Sequence, residues 1–111
     1  MTRARGDWAE QRACDFLQAQ GLTPLARNVH CRFGEVDLVM QASNQLVFVE
    51  VKYRRSGGFG GASAAVTPAK QQKLRLAAQW YLQQHGWEDR PCRFDVVAMT
   101  GEHIDWIENA F

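Results

Sequence analysis

The stretch LVFVEVKYRR, residues 46–55, decides how the rest of the chain is interpreted. Its first half is aliphatic, β-branched and aromatic, which is typical of a buried β-strand. Glu50 and Lys52 interrupt this pattern in the second half. Charged side chains are rarely buried unless they are paired or belong to a site. The strand therefore raises the question of what its carboxylate and its amine do.

A second strand-like run, EVDLVMQ at residues 35–41, is separated from this stretch by Ala-Ser-Asn-Gln, residues 42–45. That separator has the composition and length of a hairpin turn. If the turn contains two or four residues, Gln41 faces Leu46 and the same register places Asp37 opposite Glu50. Their Cβ atoms would then be about 4.5–5.5 Å apart. Lys52 shares the face of Glu50, because side chains alternate along a strand.

Two carboxylates this close repel each other, and one of them would bind a proton at a raised pKa unless a cation lies between them. Mg²⁺ suits such a site, because it prefers one or two carboxylates and retains several waters. Lys52 could then hold a scissile phosphate or orient a water. The alternative is a structural ion cluster in which Lys52 bridges Asp37 and Glu50. The pattern alone leaves both interpretations open.

The order of elements around this hairpin is predicted to be α-β-β-β-α-β-β, an α/β fold with a mixed central sheet. The first helix is expected between Asp7, as N-cap, and Gly21, with Glu10 at the edge of its apolar stripe. A strand over residues 24–33 completes an antiparallel meander with the hairpin.

The second helix is expected to begin with Thr67 as cap and Pro68 at its first position, and to end at Gly86. A right-handed crossover through this helix would place the run CRFDVVAM, residues 92–99, parallel to the Glu50 strand. The segment HIDWIENAF is expected to add an edge strand. The predicted core stripe of the second helix consists of Leu74, Ala77, Ala78, Tyr81 and Leu82.

Length and composition favour one globular domain over residues 1–111, with 46% hydrophobic and 23% charged residues. These values exclude disordered, collagen-like and coiled-coil chains. No apolar run approaches the roughly 20 residues of a membrane span, and no secretory signal is visible, so we expect a cytoplasmic protein without a membrane partner. Cys14, Cys31 and Cys92 contain no CxxC pair, which argues against a zinc cage and favours small buried thiols.

The segment between Glu50 and Glu88 contains no acidic residue, although the net charge of the chain is only +1. It is either a solvated basic face or a local anion-binding surface. On the second interpretation, Arg54, Arg55, Lys70 and Lys73 contact phosphates, the two lysines at the positive end of the second helix. A Gly-rich loop at residues 56–64 would be mobile and close over bound nucleic acid.

Asp37, followed by Glu50-Val51-Lys52 and preceded by a helix with Glu10, resembles the PD-(D/E)XK nuclease superfamily, although Val36 stands where the superfamily has proline. The sequence is more closely similar to the YraN-like family of bacterial proteins. The resemblance rests on four sequence segments that, together with the first helix, span almost the entire chain. They are GEVDLV at 34–39, LVFVEVKYR at 46–54, AVTPAKQQKL at 65–74 and RPCRFDVVA at 90–98.

The resemblance implies a single restriction-endonuclease-like domain in which Asp37, Glu50 and the Val51 backbone carbonyl bind Mg²⁺ or Mn²⁺. Lys52 is then the catalytic lysine. Glu10 occupies the place of a glutamate that joins the metal site in related Holliday-junction resolvases. The family usually has glycine before that glutamate, whereas this chain has Ala9, whose methyl group could crowd the helix against the sheet.

We consider three alternative functions for this chain. The first is a metal-dependent endonuclease acting on DNA, with branched or damaged DNA as candidate substrates and a homodimer as a candidate assembly, since resolvases of this fold cut a four-way junction twice. The second is a nucleic-acid-binding module without catalysis. The third is a protein-interaction domain whose contact patch would use Trp80, Trp87, Trp106 and Phe111.

Overall fold

A computed structural model describes the backbone of residues 3–54 and 66–111, and the side chains from residue 7 onward within those ranges. The predicted order of elements is confirmed, and with it the α/β class. Arg55 and the Gly-rich loop predicted at residues 56–64 lie outside the described residues. The elements are α1 (Arg3–Ala19), β1 (Thr23–Cys31), β2 (Gly34–Ala42), β3 (Gln45–Arg54), α2 (Pro68–His85), β4 (Cys92–Thr100) and β5 (His103–Ile107).

All five strands form one mixed sheet, in the spatial order β1-β2-β3-β4-β5. The pairs β1–β2, β2–β3 and β4–β5 are antiparallel, and β3–β4 is parallel. The predicted meander, the parallel crossover strand and the final edge strand are therefore confirmed. The apolar first half of β3 is explained by this position at the centre of the sheet, where both of its faces are covered.

Two core clusters lie on opposite faces of the sheet. Val47 and Val49 of β3 pack with Ala13 and Leu17 of α1 on one face. Phe48 packs on the other face with the predicted stripe of α2, and its ring meets that of Tyr81 edge-on at 5.9 Å between centroids. Burying each such side chain contributes roughly 1.5–3 kcal/mol. The alternation along β3 thus places one helix on each face.

The ends of α2 follow the predicted chemistry. The Thr67 hydroxyl accepts a hydrogen bond from the backbone N–H of Lys70 at 3.2 Å, and Pro68 is the first helical residue. Gly86 ends the helix in the left-handed conformation, with φ of 67°, which costs glycine little.

The start of α1 differs from the prediction. The helix begins at Arg3, so Asp7 lies within it and the prediction that Asp7 caps the helix is wrong. Alanine and arginine at positions 4 and 5 are strong helix formers, and Gly6 does not stop the helix there. The prediction for the other end is confirmed, because α1 ends at Ala19 and Gly21 follows with φ of 99°.

The cysteines are distributed differently from the prediction of three buried thiols. Cys14 is buried, Cys31 is half-buried and Cys92 is exposed. The prediction is therefore wrong for Cys31 and Cys92, which end β1 and begin β4 and so lie where the strands leave the core. Neither of the two described helices is long and apolar enough to cross a membrane.

Candidate active site

The two strands of the β2–β3 hairpin pair near the turn and then separate, and we call the opening between them the fork. The hairpin ladder runs from Ala42 opposite Gln45 to Leu38 opposite Val49, which confirms the predicted register. Beyond that pair β2 continues against β1, and β3 continues against β4 as far as Arg54 opposite Thr100. Asp37 and Glu50 are thus the first residues past the last pair.

The prediction that Asp37 and Glu50 face each other directly is wrong in this respect, because the strands separate one step earlier. Asp37 instead reaches across the opening and accepts a hydrogen bond from the backbone N–H of Val51 through Oδ2, at 2.8 Å. This bond replaces the strand pairing that the fork removes. It also fixes the Asp37 carboxylate beside the stretch of β3 that carries Glu50 and Lys52.

An irregular residue of β1, Asn28, lies next to the point where β2 and β3 separate. It lies on β1 between the residues that pair with Leu38 and Val36, and so next to Asp37, and its φ is 52°. Such a left-handed conformation is uncommon outside glycine, although asparagine tolerates it better than most residues. The alternation of β2 is interrupted at the same place, since Val36 and Val39 belong to the same core cluster. The backbone irregularities of β1 and β2 thus coincide with the position of Asp37 at the fork.

A cavity of about 330 Å³ occupies the fork, and we call it the fork cavity. Both helices contribute to it, because Glu10 comes from α1 and Lys70 from the first turn of α2. Polar side chains from four elements, α1, β2, β3 and α2, therefore line it. Its lining consists of the carboxylates of Glu10, Glu35, Asp37 and Glu50, the amines of Lys52 and Lys70, and the residues Ala9, Val51 and Tyr53.

Glu50 is held by two lysines. Its Oε1 atom lies 3.1 Å from the Lys70 amine and 3.6 Å from the Lys52 amine. The Glu50 side chain is 5% exposed, whereas those of Lys70 and Lys52 are 39% and 30% exposed. A buried carboxylate is thus neutralised by two amines that remain in contact with solvent.

Asp37 has a different environment. Burial, followed by the charge of Glu50, raises the pKa of Asp37 to about 7, although the Val51 N–H opposes the shift. Lys52 does not form an ion pair with Asp37 among the described residues, so only the Glu50 half of the predicted lysine bridge is present. The repulsion between the two carboxylates, which was inferred from the register, therefore contributes to the raised pKa of Asp37.

Glu10 faces the same cavity with one oxygen unsatisfied. Its Oε1 atom is buried and has no hydrogen-bond partner. Burial raises the pKa of Glu10, while a hydrogen bond with the Asn28 side chain and the charge of Arg27 lower it. Ala9, whose methyl group could have crowded the helix against the sheet, is 1% exposed and packs within the α1-side core, so the fold accommodates it.

The sequence matches a known protein family and many of its members. The model of a family described as "Uncharacterised protein family UPF0102" matches residues 9–99. The chain belongs to this family. The predicted YraN-like membership is thereby confirmed.

Three curated UPF0102 proteins illustrate the similarity. The protein of Nitrosococcus oceani is 53% identical over 98% of this chain and 92% of its own length. That of Saccharophagus degradans is 56% identical over 96% of this chain and 91% of its own length. That of Nitrosomonas eutropha is 53% identical over 99% of this chain and 95% of its own length.

The carboxylates that line the fork cavity of this UPF0102 protein are ligands of the kind that a hard divalent cation prefers. No group of three or more His, Cys, Asp or Glu side chains is placed to hold a metal within the described ranges. Mg²⁺ does not need one, because it binds through one or two carboxylates and completes its shell with water and phosphate oxygens. Asp37 and Glu50 supply such an open pair of carboxylates, and the charge repulsion on Asp37 is of the kind that a cation relieves.

The four basic residues predicted to contact phosphates are not all in the same place. Lys70 lies in the cavity on Glu50 rather than on an open surface. Arg54 is exposed at the end of β3, and Lys73 is exposed on α2. Arg55 lies outside the described residues. Lys70 therefore lines the cavity, and Arg54 follows the lining residue Tyr53 at the end of β3.

The sequence did not predict two features of the site. The first is the ion pair between Lys70 and Glu50, which joins residues far apart in sequence, so no local pattern indicates it. The second is the fork, for which the sequence holds only a weak indication: Asn28 interrupts an otherwise strand-like run with a residue that tolerates the left-handed conformation.

Asp95, the other fully buried acid, has a structural role. Its carboxylate accepts hydrogen bonds from Arg93, from the Trp106 indole at 2.9 Å and from the Asn109 backbone N–H at 2.9 Å. These bonds tie β5 and the residues after it to β4. Asp95 is satisfied by these donors and does not line the fork cavity.

Proposed function

We propose that this UPF0102 protein is a metal-dependent endonuclease that hydrolyses phosphodiester bonds in DNA, with branched or damaged DNA as candidate substrates. The observation that carries the proposal is the fork cavity, where Asp37 and Glu50 converge beside the Lys52 amine. Phosphodiester hydrolysis requires a Lewis acid, a positioned water and stabilisation of developing negative charge. The cavity contains side chains suited to each requirement.

Asp37 and Glu50 would hold Mg²⁺ or Mn²⁺, and the Val51 backbone carbonyl is the further ligand that the resemblance implies. When bound, the ion would supply Lewis-acid activation of the phosphodiester and of the attacking water. The Val51 N–H donates a hydrogen bond to the Asp37 carboxylate and so orients it. A carboxylate held by the backbone keeps its geometry without relying on a mobile side chain.

Lys52 would stabilise the charge that develops on the phosphate. Its amine is within 3.6 Å of Glu50 and partly exposed, so it can turn from the carboxylate to a substrate oxygen. Glu10 would accept a hydrogen bond from the attacking water through its unpartnered Oε1 atom. In these roles, Lys52 and Glu10 would act only through their charge, their hydrogen bonds and their position.

The basic residues near the cavity would bind the rest of the DNA backbone. Lys70 comes from the N-terminal turn of α2, where the helix dipole favours a phosphate. Arg54, Arg55 and Lys73 would extend the contact along the strand. The cytoplasm as compartment and a homodimer as the assembly acting on branched DNA belong to the same proposal.

A second candidate function is a nucleic-acid-binding or protein-interaction module without catalysis. One observation favours it: Glu50 already has two lysine partners, so its charge is satisfied without a metal. The aromatic patch considered for a protein partner is a weaker argument, because Trp80, Trp87, Trp106 and Phe111 are partly buried against the core.

A cleavage assay separates these functions. Labelled duplex, single-stranded and four-way DNA would be incubated with the protein and Mg²⁺, Mn²⁺ or a chelator. The nuclease proposal predicts metal-dependent products that disappear in Asp37→Asn and persist in Asp89→Asn, a change at an exposed residue outside the cavity. DNA binding without products on any substrate would instead support the catalytically inactive module.

A further inference from the structure

We propose that Trp8, Tyr53 and Arg12 form a platform that stacks an unpaired nucleobase beside the fork cavity. We call these three residues the rim platform. The inference rests on the proposed nuclease function and extends it by naming the feature of the substrate that the protein recognises: a base outside a regular duplex, next to the scissile phosphate.

Trp8 supplies the stacking surface. Its side chain is 48% exposed, and the other exposed large hydrophobic residue of the described chain is Leu25, at 41%. Trp8 lies directly before Ala9 and Glu10, which line the fork cavity. An indole that remains in solvent at the edge of a polar cavity is suited to a planar ligand that presents a π face.

Tyr53 connects this indole to the site. Its ring meets the Trp8 ring edge-on, with centroids 5.2 Å apart and an angle of 79° between the planes. Tyr53 follows Lys52 on β3 and is itself part of the cavity wall. The contact therefore holds the indole at the cavity rim, so that a base stacked on Trp8 belongs to a nucleotide near the phosphate in the cavity.

Arg12 adds a cation to the platform. Its guanidinium carbon lies over the Trp8 ring, 5.8 Å from the centroid, and a terminal nitrogen donates to the Glu102 carbonyl at 2.8 Å. The Nε atom of the same side chain is buried without a hydrogen-bond partner. A guanidinium anchored at one end in this way strengthens stacking on the indole and attracts the sugar-phosphate backbone.

The surface beside Trp8 and Arg12 has room for a base. A shallow depression of about 390 Å³ is formed there, and Gln11 and Asp15 complete its lining. Gln11 donates a hydrogen bond to Asp15 at 2.8 Å and accepts one from Arg27 at 2.6 Å. The remaining polar capacity of these side chains can meet the hydrogen-bonding edge of a base, while the indole meets its face. A base within a continuous duplex cannot enter, because its faces are covered by its neighbours. The geometry thus selects single strands, flipped bases or branch points.

The test compares DNA binding by the wild type, Trp8→Ala and Trp8→Phe, with Leu25→Ala as the matched control for loss of an exposed hydrophobic side chain. Fluorescence anisotropy would be measured with a labelled single strand and with the corresponding blunt duplex, without divalent ions so that no cleavage occurs. Thermal denaturation of each variant would establish that it is folded.

Trp8→Ala should weaken single-strand binding by about 5- to 150-fold, the range expected for one stacked base. Duplex binding should change by less than about twofold, because only backbone contacts are made there. Trp8→Phe should retain most of the affinity, and Leu25→Ala should match the wild type. Quenching of tryptophan fluorescence by the single strand should be strong in the wild type and largely lost in Trp8→Phe.

An equal loss of affinity for both DNA forms, or no loss in Trp8→Ala, would overturn the rim platform. In either case metal-dependent cleavage by the wild type would leave the nuclease proposal standing. Absence of any nucleic-acid binding and cleavage by the wild type would overturn both proposals together. Binding of the indole surface to a protein partner would then be the remaining interpretation of the exposed Trp8.

Discussion

Asp37 accepts a hydrogen bond from the Val51 backbone N–H at 2.8 Å, across the point where β2 and β3 separate. The bond fixes a carboxylate that burial and the charge of Glu50 leave with a pKa raised to about 7. The fold thus maintains a charge conflict that a simple hydrophobic contact would avoid. Sites that bind cations often have this property, because the ion relieves the conflict.

Asp37→Asn should stabilise the metal-free protein at alkaline pH. The folded-state pKa is raised above the ordinary value of 3.8 to about 7. The protonated carboxyl therefore favours folding at low pH, and this stability is lost as the pH rises through that window. Asparagine keeps an oxygen for the Val51 N–H and has no charge to lose, so the variant should gain up to a few kcal/mol relative to the wild type, since one pKa unit corresponds to about 1.4 kcal/mol.

Chemical denaturation at a series of pH values with a chelator present measures this effect. The difference between Asp37→Asn and the wild type should grow between about pH 4 and pH 7 and stay constant above that. Asp89→Asn, at an exposed position, should show no such growth. A pH-independent difference at Asp37 would contradict the idea that like charge and burial act on this carboxyl.

Lys52→Ala should leave the fold and DNA binding nearly intact while abolishing cleavage. The reason is that Lys70 lies closer to Glu50 than Lys52 does, at 3.1 Å against 3.6 Å, so Glu50 keeps a partner. Circular dichroism, DNA binding and cleavage would be compared with those of Arg32→Ala, which removes an exposed cation outside the cavity lining. If Lys52→Ala unfolds, Lys52 is a structural counter-ion and the ion-cluster interpretation is correct.

Lys70→Ala should raise the affinity of the free protein for Mn²⁺ and lower its affinity for DNA. The Lys70 amine neutralises the same Glu50 oxygen that a metal would use, so its removal reduces competition for that oxygen. Removing one cation at this distance from a partly exposed site should change metal affinity by about three- to tenfold. Calorimetric titration with Lys73→Ala as control measures it, and a weaker Mn²⁺ affinity in Lys70→Ala would show that the lysine does not compete.

Arg54→Ala combined with Arg55→Ala should flatten the salt dependence of DNA binding. Each phosphate contact that is lost should reduce the slope of log affinity against log salt by about one unit. The measurement is DNA affinity across a salt series for the double variant and the wild type. An unchanged slope would mean that these arginines only solvate the surface and that DNA binds elsewhere.

Much of this fold could be predicted because its signals are local. The turn between β2 and β3 fixed the register, and Thr67, Pro68 and Gly86 marked the ends of α2 through their own backbone preferences. The start of α1 was misjudged, because a good capping residue at Asp7 does not end a helix that its preceding residues can extend.

The site was predictable only in part. Asp37, Glu50 and Lys52 lie on one hairpin, so the register brings them together. The fork lies beside the left-handed backbone of Asn28 in a different strand, and Lys70 of the crossover helix reaches Glu50. These contacts depend on tertiary packing, which a linear pattern of residues does not specify.

The central claim is that the fork carboxylates bind a divalent cation, and calorimetric titration with Mn²⁺ tests it most directly. The wild type, Glu50→Gln and Glu88→Gln would be titrated with and without a short DNA whose phosphates complete the metal shell. The account predicts binding by the wild type, strengthened by DNA, equal binding by Glu88→Gln, whose residue is exposed outside the cavity lining, and loss of binding in Glu50→Gln. No Mn²⁺ binding by the wild type even with DNA present, or full binding by Glu50→Gln, would contradict it.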